Sequence, residues 1–117
     1  MNYDFDGFFS PVDMNGVTNK AKAGSAIPVK FSLSGYQGMD IMAAGSPKFT
    51  VGTCTPETTD TVEETVTAGG SSLSYDAVAD RYIYVWKTQK TWAGKCGKLT
   101  VTLNDGSTHS ASFSLTK

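Results

Sequence analysis

One histidine, two cysteines and a few neighbouring carboxylates are the residues of this 117-residue chain whose types could do chemistry. His109 would serve hydrolysis only if the fold joined it to a carboxylate and to one of the many serines as nucleophile. Its place just past "LNDGS" is instead that of an ordinary strand histidine beside Val101, so the chain reads as a non-enzyme. Glu63 and Glu64 are adjacent, and a strand would turn them to opposite faces rather than pair them for acid and base work. The stretch "DFDG", Asp4 to Gly7, carries two carboxylates in a turn-like setting but lacks the third and the bidentate one that a calcium loop needs. No metal or other cofactor is expected. A Lys–Asn isopeptide would need a buried lysine, and Lys30 falls on the outward parity of its segment.

Cys54 and Cys96 are too few for a four-thiolate zinc site and too far apart for a C-x-x-C redox pair. A single structural disulfide is the natural reading, with two buried free thiols as the alternative. The bias toward Thr, Ser, Gly and aromatics suits exported β-modules, so an extracellular or cell-surface location is expected. The net charge of -1 is scattered, which offers no face to nucleic acid or to an anionic membrane. No apolar run reaches the roughly 20 residues of a membrane span, and "MNYDFDGFF" lacks the basic and apolar regions of a signal peptide. Residues 1–117 read as one domain, excised from a larger secreted protein, and as a monomer.

Strands are the elements that would position these residues. No stretch keeps a 3.6-residue apolar period, whereas short alternating runs recur between Gly, Asn, Asp and Pro. The pattern predicts strands near 3–8, 17–22, 26–33, 47–53, 62–67, 73–75, 81–88, 95–103 and 107–115. "GMDIMAAG" reads as a further short strand or a single helical turn, and "CTPETTDT" and "TAGGSS" read as loops.

Register is legible in the last hairpin. Leu99, Val101 and Leu103 share one face of their strand, and Ala111, Phe113 and Leu115 share one face of the next. A two-residue Asp105–Gly106 turn would set inward residues opposite outward ones. A loop of Asn104, Asp105 and Gly106, with Gly106 left-handed, pairs Val101 with His109, Leu99 with Ala111 and Gly97 with Phe113. The Phe113 ring is then expected to cover the bare Gly97.

Parity also sorts "RYIYVWK". Tyr82, Tyr84 and Trp86 are turned inward, because Arg81 and Lys87 make the other face wet, and Trp86 becomes the core anchor. The opposite orientation would lay an aromatic stripe on the surface, suited to stacking on sugar rings. In "IPVKFSL", Ile27, Val29, Phe31 and Leu33 point inward and Pro28 and Lys30 outward. A proline without an N–H, beside an outward lysine, predicts an edge strand or a strand that becomes an edge there. Cys54 and Cys96 fall on the parity opposite to their apolar neighbours, which places a bridge at the rim or outer face. Trp92, in "KTWAGKC", is a candidate ligand contact or a plug closing the end of the fold.

The motif "IPVKF" with the preceding "KAGSA", the start "YDFDGFFSPVD", the centre "VTAGGSSLSYDAVADRYIYVWKT" and the later "WAGKC" resemble the PxKF modules of bacterial, mostly actinobacterial, exported proteins. The four signatures run through nearly the whole chain in the family's order. Pro28, Lys30 and Phe31 match the naming motif, and Cys54 and Cys96 stand where similar modules carry cysteine; Ile83 stands where a more polar residue is usual. The resemblance implies an all-β, immunoglobulin-like antiparallel β-sandwich of seven to nine strands with one disulfide. It also implies a non-catalytic accessory module at the C-terminal end of a secreted protein, spacing, stabilising or attaching it. The expected partners are the rest of the parent polypeptide and, in the alternative of a binding module with exposed aromatics, a cell-wall or polysaccharide ligand.

Overall fold

Alternating runs become strands throughout the computed structural model, which describes residues 3–9, 11–13, 17–53, 59–62, 65–67 and 69–117. Among them are nine strands: β1 Asp6–Phe9, β2 Thr18–Lys22, β3 Ala26–Ser32, β4 Lys48–Gly52, β5 Thr59–Thr61, β6 Ser72–Asp76, β7 Arg81–Lys87, β8 Lys95–Thr102 and β9 Thr108–Thr116. The only helical turn among them is a 3-10 turn at Lys90–Trp92. Cys54, Glu63 and Glu64 lie outside the described residues.

The strands form two sheets in a β-sandwich-like arrangement, ordered β1-β3-β7-β6 and β4-β8-β9-β2-β5. Ile27, Val29, Phe31, Tyr82 and Trp86 from the first sheet and Leu99, Val101, Ala111, Phe113 and Leu115 from the second belong to one buried cluster. Burying each larger side chain is worth about 1.5–3 kcal/mol, so this shared layer holds the sheets face to face.

The last hairpin has the register that parity requires: Val101 faces His109, Leu99 faces Ala111 and Gly97 faces Phe113. Gly106 sits at φ +87° and donates its N–H to Leu103 O at 3.0 Å, closing the turn in the left-handed region. Gly97 is also approached closely from β4. A methyl group there would meet the Thr50 carbonyl and, at 2.8 Å, the Phe49 ring. Edge strand β4 lies so close over β8 that only glycine fits opposite Val51.

The second sheet is mixed, which corrects the all-antiparallel expectation: β2 runs parallel to both β9 and β5. A side-chain clamp seats it. Asn19 is fully buried; its amide donates to Asp13 O at 2.9 Å and Ser112 O at 3.0 Å and its oxygen accepts from Asp13 N–H at 2.8 Å. Leaving these groups unpaired would cost about 1–3 kcal/mol, so the bonds fix the lead-in segment and β9 to β2 together. Of the strand predicted at 62–67, 63–64 lie outside the described residues and Val66 forms a single bridge with Ala26; β5 precedes it at Thr59–Thr61, a polar piece held by backbone pairing to Thr18–Lys20 that no apolar alternation announces. The stretch "GMDIMAAG" forms neither a helix nor a strand but a single bridge, Met42 to Leu103, with Ile41 fully buried beneath it.

β3 is not an edge strand. It lies between β1 and β7, and Lys30 is half-buried with Phe9 on one flank and Ile83 on the other, so it guards no edge. Only Lys30 to Ser32 pair with β1, however, and Ala26 O is taken by Val66 N–H at 2.9 Å. Strand backbone groups alternate sides, so Pro28, two residues from Ala26, turns its missing donor to that same flank, in the gap between the two partners. Pro28 is also buried, contrary to its expected outward exposure. The strand predicted near 3–8 forms as β1; what the sequence pattern did not reveal was its place beside β3, admitted by Gly7 at φ +127°, where a Cβ would lie 3.2 Å from Phe31 Cα.

Replacing Gly97 by Ala should destabilise the protein by about 1–3 kcal/mol through overpacking against β4. Gly52→Ala, where the added methyl meets nothing within 4 Å, is the control and should stay within about 0.5 kcal/mol in urea unfolding. Equal effects at the two sites would contradict the close β4–β8 approach.

Candidate functional site

Aromatic side chains separate into clusters toward the two ends of the sheets. Toward one end, Trp86, only 5% exposed, packs edge-on to Phe113 at 4.9 Å and tilts against Phe49 at 5.4 Å. Trp92, presented by the 3-10 turn, is half-buried with its ring 4.5 Å from Phe49 and 5.9 Å from Trp86. It fills the position of an end plug. Thr88 secures this corner, accepting from Gly24 N–H at 2.9 Å and donating to Ser25 O at 2.6 Å. Cys96 is buried on β8 but stands apart from the core cluster, at the parity opposite to Leu99 and Val101.

Toward the other end lie the connection from β3 to β4, the β6–β7 turn, the β8–β9 turn and residues 3–5. Tyr82, fully buried at the start of β7, carries its hydroxyl out of the core: it accepts from Gln37 N–H and donates to Gly38 O, both at 2.7 Å. Asp80 supports the same loop, its Oδ1 accepting from Gly35 N–H at 3.1 Å and from the Tyr75 hydroxyl at 2.7 Å. Ser34 and Asp80 both hold left-handed backbone, at φ 56° and 53°. Asp76 steadies the turn before Asp80 by accepting from Val78 N–H at 3.0 Å.

Between these supports stands Tyr36, 57% exposed, with its ring 4.9 Å from Tyr75 at 55° and 6.3 Å from Tyr82 at 13°. The Tyr75 phenol is pushed up to about 12, chiefly by its bond to the Asp80 carboxylate, and burial raises that of Tyr82. Both remain hydrogen-bond donors at neutral pH. Sequence reasoning missed Tyr36, Tyr75 and Asp80 as a group. The available signal was "SGYQG", a tyrosine flanked by glycines in a stretch with no apolar alternation to give it a buried side.

The nearest approach to reactive chemistry is at the β8–β9 turn. Asp105 Oδ1 accepts from the Ser107 hydroxyl at 2.5 Å and from Ser107 N–H at 2.9 Å, while Oδ2 accepts from Tyr3 N–H at 2.8 Å. These bonds hold the Asp105 carboxyl down at about 2, the Ser107 hydroxyl contributing most. His109 Nε2 lies 3.0 Å from Ser107 Oγ, and its ring is stacked on Phe5 at 3.6 Å and 8°. The hydroxyl proton goes to the carboxylate, so Nε2 carries hydrogen and donates. A hydrolytic triad needs the imidazole between carboxylate and nucleophile, with an unprotonated nitrogen facing the serine. Here serine is in the middle, and the row of three locks a turn. In "DFDG" the Asp4 carboxylate accepts from the Ser34 hydroxyl at 2.9 Å, while Asp6 pairs with Ser32 through the backbone register of β1 and β3. No group of three or more metal-ligating side chains converges among the described residues.

No family model, curated protein or solved structure matches the chain. Among the described residues, no helix is long and apolar enough to cross a membrane.

The sole histidine gives the stability a pH dependence of known sign. Burial lowers the His109 pKa, so the unfolded chain takes up its proton first. Its contribution is whole above the free imidazole value of about 6.5 and drains away as pH falls below it. The urea midpoint should therefore drop between pH 7.5 and pH 5, and His109→Gln should flatten that drop. An unchanged slope in the variant would show that His109 is not held neutral.

Proposed function

We propose that the chain is a non-catalytic, extracellular accessory module of immunoglobulin-like build that spaces, stabilises or attaches a larger secreted protein. The observation that carries this reading is the path of the chain. Tyr3 is bonded to Asp105 at the turn before β9, whereas Thr116 ends β9 beside Lys22. Nine residues of strand rise about 30 Å, so the two points lie toward opposite ends of a body 38 Å long. A chain that enters at one end and leaves at the other separates whatever flanks it.

The immunoglobulin-like assignment is supported by strand order. Lettered along the chain, with β2 as a second half of the first strand, β1-β3-β7-β6 follows A-B-E-D and β4-β8-β9 follows C-F-G. β5 is the addition. The PxKF reading draws on Pro28, Lys30 and Phe31, which occupy the middle strand shared by β1 and β7. A Cys54–Cys96 disulfide is supported by Gly52, which faces Cys96 across β4 and β8 two residues before Cys54, and by the lack of a free cysteine among the described residues. Such a link would join neighbouring strands at the outer face rather than the two sheets, and its loop-entropy contribution has a ceiling of about 4 kcal/mol. Cross-linking of this kind favours the oxidising environment outside the cell.

The test is to insert the chain between two reference domains and measure their separation by small-angle scattering without reductant. The separation should grow by close to the 38 Å long axis, with no thiol alkylated until reductant is added. A separation that barely changes would remove the spacer reading, and two thiols alkylated in the native protein would remove the disulfide.

A further inference from the structure

Of the aromatic rings, all of which fall in described residues, Tyr36 alone is exposed; the rest are buried or half-buried. The stripe of Tyr82, Tyr84 and Trp86 is turned to the core side, and Trp92 is packed on Phe49, so neither offers a free platform. Tyr36 differs from a ring left outside by chance in how firmly its backbone is held. Gly35 and Gln37, its two neighbours, are each bonded to a side chain of the β6–β7 unit, and Gly38 O accepts from Tyr82. The arrangement includes two non-glycine residues in left-handed backbone, a conformation that the surroundings must over-determine. None of that outlay buries Tyr36.

We propose that Tyr36, flanked by Tyr75 and the Asp80 carboxylate, is the stacking platform of a binding site for neutral, equatorially substituted pyranose sugars. Such sugars present a flat face of axial C–H groups to an aromatic ring and a rim of hydroxyl donors to an acceptor. The ring is pre-oriented by its contacts with Tyr75 and Tyr82, which reduces the entropy lost on binding. Asp80 supplies the acceptor: its Oδ1 is taken by Gly35 and Tyr75, and Oδ2 accepts no bond among the described residues. Distance excludes a cage for a quaternary ammonium group, since rings with centroids 4.9 Å apart already touch and leave no room for a cation between them. Charge excludes acidic sugars. Asp76 and Asp80 belong to the β6–β7 turn beneath the platform, and Asp4 is bonded to Ser34 two residues from Tyr36.

The inference deepens the attachment part of the reading above and rests on it. Its test is titration of the isotopically labelled chain with cellohexaose, xylohexaose and chitohexaose, followed by amide shifts. At least one should bind weakly and move the amides of 35–39 and 75–80. Tyr36→Ala should weaken binding about tenfold while Tyr36→Phe keeps it, because the face of the ring and not its hydroxyl does the stacking. The proposal is overturned if none of the three moves those amides, if Tyr36→Ala binds as well as the parent, if shifts centre on Trp92, or if a galacturonate oligomer binds better. A correctly folded chain that ignores all three sugars yet still extends the spacing between two domains would remove the sugar site and leave the spacer standing.

Discussion

The hydroxyl of Tyr82 is the point at which the interior of this protein takes hold of its surface. The ring belongs to the core, stacked on Phe31 at 5.6 Å, and the oxygen leaves the core to bond Gln37 and Gly38. A buried phenol has to satisfy its oxygen, and here it does so with the backbone of a loop that has no strand of its own. The long connection between β3 and β4 is therefore positioned by the first residues of β7. Asp80, two residues earlier, adds a second attachment through Gly35, and together they set Tyr36 above Tyr75.

A division of labour between the ends follows from the same packing. Toward the Trp86 end, rings close the sandwich: Phe49, Trp92 and Phe113 surround an indole that is almost wholly removed from water. Toward the Tyr82 end, rings continue outward, from the fully buried Phe31 and Tyr82 to the half-buried Tyr75 and the exposed Tyr36. The Asp105, Ser107 and His109 row belongs to that second end, where it fastens the β8–β9 turn to the lead-in segment through Tyr3 and Phe5. Residue types associated with catalysis are used there as turn fasteners, because the bonding order leaves imidazole without a free acceptor toward the hydroxyl.

How much of this was legible in the sequence depended on whether burial or backbone geometry decided the outcome. The β8–β9 register could be read because alternating Leu, Val and Phe residues must share one interior, and only one loop length allows it. The inward side of "RYIYVWK" followed from the charges at both ends. Pro28 did signal a missing partner, but the neighbour on that flank, β1, depends on Gly7 and on a shifted register between Gly7 and Phe9 that no side-chain pattern records. β5 is polar in sequence and is placed by its backbone pairing to β2. The site was less legible still: Tyr36, Asp80 and Tyr82 are far apart in the chain, and what joins them is a phenol oxygen and a carboxylate meeting backbone N–H groups of an irregular loop. Hydrogen bonds of that kind leave no periodicity.

The most direct measurement is amide hydrogen exchange at Gln37, whose N–H is given to Tyr82 and to no strand partner. In the native protein it should exchange far more slowly than a free loop amide, and Tyr82→Phe should release it while Leu99 and Val101 on β8 stay protected. A Gln37 amide that exchanges freely in the native protein, or one that stays protected after Tyr82→Phe, would contradict the claim that this phenol holds the loop.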